Sequence, residues 1–87
     1  MTPSKNYLLT CLAEECAEVV HAVMKHKRFG NAEDKIDSGV MDVMSILSLL
    51  HDLHGWDLPT DDLDGLSNAK LKKIKKFMKR GNHRDSV

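Results

Sequence analysis

A chain of 87 residues is long enough for one small domain but too short to bury a large core. Charged residues make up 30% of it and hydrophobic residues 41%, a composition that excludes an intrinsically disordered chain. The formal net charge is zero, yet residues 1–64 carry twelve acids against five bases and residues 65–87 carry eight bases against one acid. This asymmetry indicates either an acidic site and a basic strip that share a ligand, or antiparallel helices that neutralise each other.

The cysteines and the hydropathy pattern bear on the cellular compartment. Cys11 and Cys16 point roughly 140° apart on one predicted helix, so they cannot form a disulfide with each other there. The sequence has no secretory signal and no apolar run of about 20 residues. We therefore expect a cytoplasmic protein with reduced thiols and no contact with a membrane.

The first predicted helix spans about residues 5–29. Thr2 or Ser4 is its expected N-cap, with Pro3 in the first turn, and Gly30 is its expected end. Its apolar residues recur at helical spacing and define a stripe that should pack against the rest of the protein. The members of this stripe are Leu8, Leu12, Cys16, Val19 and Val23.

The second predicted helix has Asn31 as its N-cap, continues through Lys35 and ends at about His54, before Gly55. It is apolar almost all round, which is typical of a central helix packed on several sides by its own chain or by a partner subunit. The apolar positions are Val40, Met41, Val43, Met44, Ile46, Leu47, Leu49, Leu50 and Leu53.

The third predicted helix opens with Thr60 as its cap and ends at Gly81. Its apolar face consists of Leu63, Leu66, Leu71, Ile74, Phe77 and Met78, and lysines cover most of the remaining surface. We therefore predict an all-α fold, an antiparallel bundle of three main helices that is completed by oligomerisation. Residues 1–81 would form a single domain, and residues 82–87 a flexible C-terminal tail.

Three carboxylates lie within five residues of the first helix. Glu18 is four residues from Glu14 and three from Glu15, so all three can lean toward one place. Glu15 lies roughly 60° from the centre of the apolar stripe, at the edge of the buried face. A charge there is costly unless something pairs with it, and a cation is one solution. The alternative is an ordinary solvated acidic face.

A fourth carboxylate, Asp42, stands alone in the apolar second helix. The short connection predicts that the first two helices pack antiparallel, which brings Asp42 level with Glu18. We expect Asp42 to be buried, where it marks a partner or a metal unless it is a structural Asp bonded to a neighbouring helix or a water. Ligation by carboxylate oxygens alone favours Mg²⁺, with Mn²⁺ possible, over zinc.

These motifs resemble those of the all-α nucleoside triphosphate pyrophosphatases, the MazG-like group that includes small phage proteins and phosphoribosyl-ATP pyrophosphatase. The similar parts are Leu12-Ala13-Glu14-Glu15-Cys16-Ala17-Glu18-Val19-Val20, Lys27-Arg28-Phe29-Gly30 and Asp42-Val43-Met44-Ser45-Ile46-Leu47-Ser48-Leu49-Leu50. The resemblance covers about residues 7–54 and is vaguer over Asn68-Ala69-Lys70-Leu71-x-Lys73. It would make residues 1–81 a single MazG-like domain.

The resemblance implies a Mg²⁺-dependent enzyme that hydrolyses a nucleoside or deoxynucleoside triphosphate to the monophosphate and pyrophosphate. It implies that Glu15, Glu18 and Asp42 are metal ligands. Glu14 or Glu15 would orient the attacking water or take its proton. The expected partners are therefore a nucleoside triphosphate and further copies of the chain, in a homodimer or a homotetramer.

The substrate contacts are expected on the last helix and in the turn before it. The resemblance implies that Asn68, Lys70 and Lys73 bind phosphate, whereas the lysine run by itself is equally typical of a solvated face. Trp56 is either a stacking surface for the base or a lid over the core.

One position departs from the family pattern. The second motif of the family is Glu-x-x-Asp, and Gly39 takes the place of its Glu, three residues before Asp42. The chain is then expected to bind fewer ions, to draw a ligand from elsewhere, or to be a catalytically weakened nucleotide-binding relative. A further alternative is a module whose basic helix binds nucleic acid or protein, although the acids of residues 1–64 would repel nucleic acid.

Overall fold

The structure is a computed structural model that describes residues 1–57 and 63–79. Its three helices are α1 (Lys5–Phe29), α2 (Glu33–His54) and α3 (Leu63–Lys79). The described part of the chain contains no strand, so the predicted all-α class is confirmed. None of these helices is both long and apolar enough to span a membrane.

The chain divides into two compact units, Met1–Asp57 and Leu58–Val87. The first holds α1 and α2, and the second holds α3. Three expectations stay predictions: residues 1–81 form one domain, the three helices form one antiparallel bundle, and oligomerisation completes that bundle. The predicted tail over residues 82–87, the Thr60 cap and the Gly81 end lie outside the described residues.

Both ends of α1 follow from local sequence. The Ser4 side chain accepts a hydrogen bond from the Tyr7 backbone N–H at 3.0 Å, so Ser4, and not Thr2, is the N-cap. At the other end Gly30 has φ 72°, a left-handed conformation that a side chain would strain, and its N–H donates to the His26 carbonyl. The predicted bounds of α1 are confirmed.

The start of α2 differs from the prediction. Ala32, and not Asn31, is the N-cap residue, and no side chain of α2 caps this end. Instead the Ala32 N–H donates to Nδ1 of His26 at 3.2 Å, and Nε2 of the same ring lies 3.6 Å from Oε1 of Glu33. The side chain that accepts a hydrogen bond at the start of α2 thus belongs to α1. A search of the residues next to the helix start cannot detect it.

Contacts along the length of α1 and α2 show that the two helices form a hairpin. Near the turn His26 contacts Ala32, in the middle Val19 faces Gly39, and at the open end His54 Nε2 hydrogen-bonds to the Pro3 carbonyl at 2.9 Å. The two helices therefore lie side by side in opposite directions. The buried apolar residues of this unit are Leu8, Ala22, Ala32 and Leu50.

The packed face of α1 is rotated from the predicted stripe. Cys16 is exposed, whereas Ala22 is buried. Around the helix axis, the centre of the packed face lies roughly 30° closer to Glu15 than the centre of the stripe predicted from the apolar residues. Its buried and half-buried members are Leu8, Leu9, Cys11, Leu12, Glu15, Val19, Ala22, Val23 and His26.

One face of α2 packs and the opposite face is exposed. The packed positions recur at alternating spacings of three and four residues, which is the pattern of a helix with one contact seam. On the opposite face Met41 is 67% exposed and Met44 is 62% exposed. The prediction that its own chain or a partner subunit packs α2 on several sides stays a prediction. The packed positions are Ile36, Gly39, Val43, Ile46, Leu47 and Leu50.

α3 is amphipathic, with lysines over much of its surface and an apolar face that is exposed. Its exposed apolar residues are Leu66, Leu71, Ile74, Phe77 and Met78. Lys70 lies within roughly 40° of the centre of this apolar face, so the face carries one charge in its middle.

Gly39 lies at a close contact between α1 and α2. A Cβ atom added there would be 2.9 Å from Cγ2 of Val19 and 3.7 Å from its Cα. Val is restricted at χ1 in a helix, so Val19 cannot turn away freely. The close approach that Gly39 permits therefore compensates for the low helix propensity of glycine. The helix α2 is continuous through this residue.

We expect Gly39→Ala to lower the free energy of unfolding by about 1 kcal/mol, because overpacking costs about 1–3 kcal/mol and the gain in helix propensity returns about 1 kcal/mol. In a Val19→Ala background the clash is absent, and Gly39→Ala should raise the free energy of unfolding by about 1 kcal/mol. Urea unfolding followed by circular dichroism measures both values.

The matched control is Val20→Ala, because Val20 is adjacent on α1 but 62% exposed. Gly39→Ala should remain destabilising in that background. If Gly39→Ala stabilised the protein without any change at position 19, the close approach would not be the reason for the glycine.

Candidate functional site

Glu15 lies near the centre of the packed face of α1, closer to the α1–α2 interface than its predicted place at the edge. Its Oε2 atom is shielded from solvent and has no hydrogen-bond partner among the described residues. A shielded carboxylate oxygen without a partner is costly, because its lost hydration is not replaced. This atom is the clearest unsatisfied polar group of the hairpin.

Three other carboxylates surround Glu15. Burial is the largest cause that raises the pKa of Glu15 above its ordinary value of 4.5, and the negative charges of Glu18, Asp42 and Glu14 raise it further. The four acids thus form one electrostatic cluster that favours either a proton or a cation.

Asp42 is exposed, and the expectation that it is buried was wrong. The contact seam of α2 passes through Gly39 and Val43, and Asp42 lies at the border of that seam. Asp42 and Glu18 nevertheless line the same groove between α1 and α2. Glu18 of α1 and Asp42 of α2 therefore face one groove, and the negative charges of both act on Glu15.

The groove beside these acids has a volume of about 610 Å³. Beyond Glu18 and Asp42 it is lined by polar residues that were not considered as site residues from the sequence. A signal for two of them was present, because Lys25 follows Glu18 by seven residues and Lys35 precedes Asp42 by seven. The added polar residues are Lys25, Asp34, Lys35 and Ser38.

The cluster offers oxygen donors of the kind that Mg²⁺ and Mn²⁺ prefer. In the part of the chain that the structure describes, no three His, Cys, Asp or Glu side chains are gathered closely enough to hold a metal ion. The unpartnered Oε2 of Glu15 and the all-carboxylate donor set fit a hard cation. The residues that would supply the donors are Glu15, Glu18 and Asp42.

The position of Gly39 bears on the carboxylate that the family pattern expects there. A side chain at position 39 would start toward Val19, at the helix–helix contact. A Glu at this position would have its Cβ atom against the Val19 side chain, so Val19 or α1 would have to shift to admit it. The hairpin in this chain is built around the absence of that side chain.

Trp56 lies at the open end of the hairpin. It is half-buried, and Nζ of Lys5 lies 5.3 Å from the centroid of its ring, within the range of a cation–π contact. Lys5 precedes Glu18 by thirteen residues, which is roughly 20 Å along α1. The structure does not bring Trp56 to the carboxylates of the same chain.

The remaining predicted site residues lie on α3. Asn68, Lys70 and Lys73 are exposed there, in the second unit. The spaced histidines of α2 have local contacts: His51 Nδ1 lies 3.1 Å from the Trp56 carbonyl, and His54 contacts Pro3 as described above. These contacts hold the open end of the hairpin together.

Comparison of the chain with family profiles, with curated proteins and with solved structures found no match. The resemblance to the MazG-like enzymes therefore remains an interpretation of the motifs at residues 12–20 and 42–50. The carboxylate cluster and the groove beside it are the features of this chain that bear on its function.

We expect Glu15→Gln to stabilise the metal-free protein, increasingly so as pH rises. A native pKa above 4.5 means that the folded state binds the Glu15 proton more tightly than the unfolded state. The free energy of unfolding of the wild type therefore falls as pH rises from the ordinary pKa through the native one, and stays lower above it. Thermal unfolding with a chelator present, from acidic to neutral pH, measures the difference in Tm between variant and wild type.

Asp37→Asn is the control for this titration, since Asp37 is exposed and lies roughly 140° from Asp42 around α2. Its difference in Tm from the wild type should not grow over the same pH range. A difference for Glu15→Gln that did not change with pH would mean that the folded protein does not raise the pKa of Glu15.

Proposed function

We propose that this protein is a divalent-cation-dependent hydrolase that converts a nucleoside or deoxynucleoside triphosphate to the monophosphate and pyrophosphate. The observation that supports it is the shielded, unpartnered oxygen of Glu15 among the charges of Glu18, Asp42 and Glu14. Such a cluster is unfavourable by itself and becomes favourable when a cation joins it. A cation held only by carboxylates commonly recruits phosphate oxygens.

Mg²⁺, or Mn²⁺ in its place, would neutralise phosphate charge and lower the pKa of the attacking water. Glu15, Glu18 and Asp42 would hold the cation, with Glu18 and Asp42 facing the groove from two helices and Glu15 supplying an oxygen that has no other partner. Because α1 and α2 are fixed against each other at both ends of the hairpin, these side chains start from rigid positions.

Glu14 is the fourth acid of the cluster and is exposed. In the proposed reaction it orients the attacking water, and Glu14 or Glu15 accepts its proton. Asn68, Lys70 and Lys73 of α3 would contact the phosphates, and Trp56 the base, as the resemblance to the family implies.

We expect Glu18→Gln to reduce metal-dependent pyrophosphate release by about 100-fold or more, because loss of a ligand should exceed the 10–100-fold loss seen when a residue behind a ligand is changed. The assay presents the common ribo- and deoxyribonucleoside triphosphates one at a time with Mg²⁺ or Mn²⁺ and measures pyrophosphate.

The matched control is Asp52→Asn, an exposed acid on α2 that does not belong to the cluster. It should retain the activity of the wild type. The proposal is wrong if no triphosphate yields pyrophosphate in a metal-dependent way, or if Glu18→Gln is fully active.

A catalytically weakened nucleotide-binding relative is the second candidate function. Its support is the tight contact of Gly39 with Val19, which leaves no place for the fourth metal ligand of the family pattern. This candidate predicts that a triphosphate and Mg²⁺ raise the Tm of the protein without measurable turnover. The same triphosphate panel, run both as a pyrophosphate-release assay and as a thermal-shift assay, distinguishes the two functions.

We further propose that the chain acts in the cytoplasm as a homodimer or a homotetramer. The two cysteines are free thiols, as expected in a reducing compartment. The outer face of α2 exposes Met41, Met44 and Leu49 next to two serines, an apolar strip that a second copy could cover.

Met44→Glu should shift the oligomer toward the monomer, because it places a charge in the middle of that strip. Sedimentation velocity over a range of protein concentrations measures the mass. Thr10→Glu is the control, since Thr10 is exposed on α1 outside the strip. A wild type that is monomeric, or a Met44→Glu protein that remains oligomeric, would contradict this assembly.

A further inference from the structure

The groove between α1 and α2 has a basic end opposite its acidic end. Glu18 and Asp42 line one part of it, and Lys25 and Lys35 line another. Lys25 follows Glu18 by seven residues on α1, and Lys35 precedes Asp42 by seven residues on α2. Because the two helices run in opposite directions, both steps lead toward the hairpin turn.

Seven residues of α-helix correspond to roughly 10 Å along the axis and a rotation of only about 20°. Each lysine therefore lies on the same face of its helix as the acid with which it is paired here. The two lysines come level with each other, as the two acids do. The groove thus has an acidic pair of residues and a basic pair about two helical turns apart.

The floor between the two pairs consists of small residues. Ala22 and Gly39 are buried at this point, and Ser38 lines the groove beside them. Because these residues are small, they leave a groove above them although the two helices are in close contact. His21 is the one larger side chain on this stretch, and it is exposed.

Among the described residues, the two lysines of the groove are not paired with an acid. In the described part of the chain, the ion pairs join His26 to Glu33 and His51 to Asp57, and neither lysine takes part in one. Asp34 also lines the basic end, so that end carries a net charge of one positive unit. An ammonium group without a partner, facing a groove that also holds carboxylates, favours a ligand with charges of both signs.

We propose that this groove binds a diphosphate group together with its divalent cation. The cation lies at Glu18 and Asp42, and the phosphate oxygens extend toward the turn to the ammonium groups of Lys25 and Lys35. The flexible four-carbon stems of the lysines cover the distance that remains. The assignment of the cation end rests on the proposed function, whereas the assignment of the phosphate end rests on the two lysines.

Two sources could supply this ligand: the terminal phosphates of a nucleoside triphosphate, or free pyrophosphate. Both present the same phosphate oxygens to the lysines. A nucleotide adds a sugar and a base, so it should bind more tightly than pyrophosphate wherever the protein contacts those groups. Equal affinity for the two would identify pyrophosphate as the ligand that the groove recognises.

Isothermal titration calorimetry with pyrophosphate, with and without Mg²⁺, tests the proposal on the full chain. Lys25→Gln and Lys35→Gln should each weaken binding by about tenfold, the loss expected for one charge-assisted hydrogen bond. Asp34→Asn should tighten binding severalfold, because it removes the one negative charge from the basic end. This gain cannot result from misfolding, so it keeps the test informative if a lysine variant proves unstable.

The matched control is Lys27→Gln, which removes the same charge from the same helix. Lys27 lies roughly 160° around α1 from Lys25 and does not line this groove. Its affinity for pyrophosphate should equal that of the wild type. A tenfold loss in Lys27→Gln as well would show a general effect of net charge and would overturn the proposal.

The outcomes separate this proposal from the proposed function. If the wild type hydrolyses triphosphates while Lys25→Gln and Lys35→Gln keep the wild-type KM and pyrophosphate affinity, the groove proposal fails and the enzymatic function stands. If no triphosphate is hydrolysed but pyrophosphate binds in a manner that needs both lysines, the groove proposal stands and the enzymatic function fails. If the wild type binds no pyrophosphate, with or without Mg²⁺, the groove proposal is wrong.

Discussion

The close approach of α1 and α2 at Gly39 is the contact on which the candidate site depends. A Cβ atom there would meet Val19 at 2.9 Å, so only glycine permits this spacing. The spacing in turn places Glu15 of α1 within the electrostatic influence of Asp42 of α2. It also fixes which residues face each other along the hairpin, and so makes the acidic pair and the basic pair level. The packing of α1 against α2 and the electrostatics of the carboxylate cluster therefore both depend on Gly39.

The acids and the packed apolar residues oppose each other on the same hairpin. Burial of apolar residues such as Leu8 and Leu50 brings the helices together, and the same approach crowds three other carboxylates around Glu15. Proteins often retain such unfavourable clusters where a ligand relieves them. The raised pKa of Glu15 is one sign of this cost, and its unpartnered Oε2 atom is another. The stability of the hairpin and the proposed binding of a cation are thus linked through the Glu15 side chain.

Helix content was predictable from the sequence, whereas the orientation of the helices was not. The ends of α1 follow from Ser4 and Gly30, because caps are local signals. The packed faces of α1 and α2 were misjudged because Ala22 and Gly39 are small. They allow the helices to approach closely but bury little apolar area, so a stripe defined by large apolar residues does not include them. The exposure of Asp42 was misjudged for the same reason, since it depends on where the seam of α2 lies. The carboxylates could be selected as candidates from the sequence, because their spacing on one helix is visible there. Lys25 and Lys35 could not, because they come to line one groove only when the two helices pair.

The capping of α2 by His26 has a consequence for the order of folding. The first turn of a helix is its costly nucleus, and here an acceptor on α1 satisfies one of its free N–H groups. That acceptor has its place only after α1 has formed as far as residue 26. We therefore expect α1 to form first and to nucleate α2 across the turn, with few long-range contacts to find. The hairpin would then assemble from its turn outward, and the last pair to join would be Pro3 and His54.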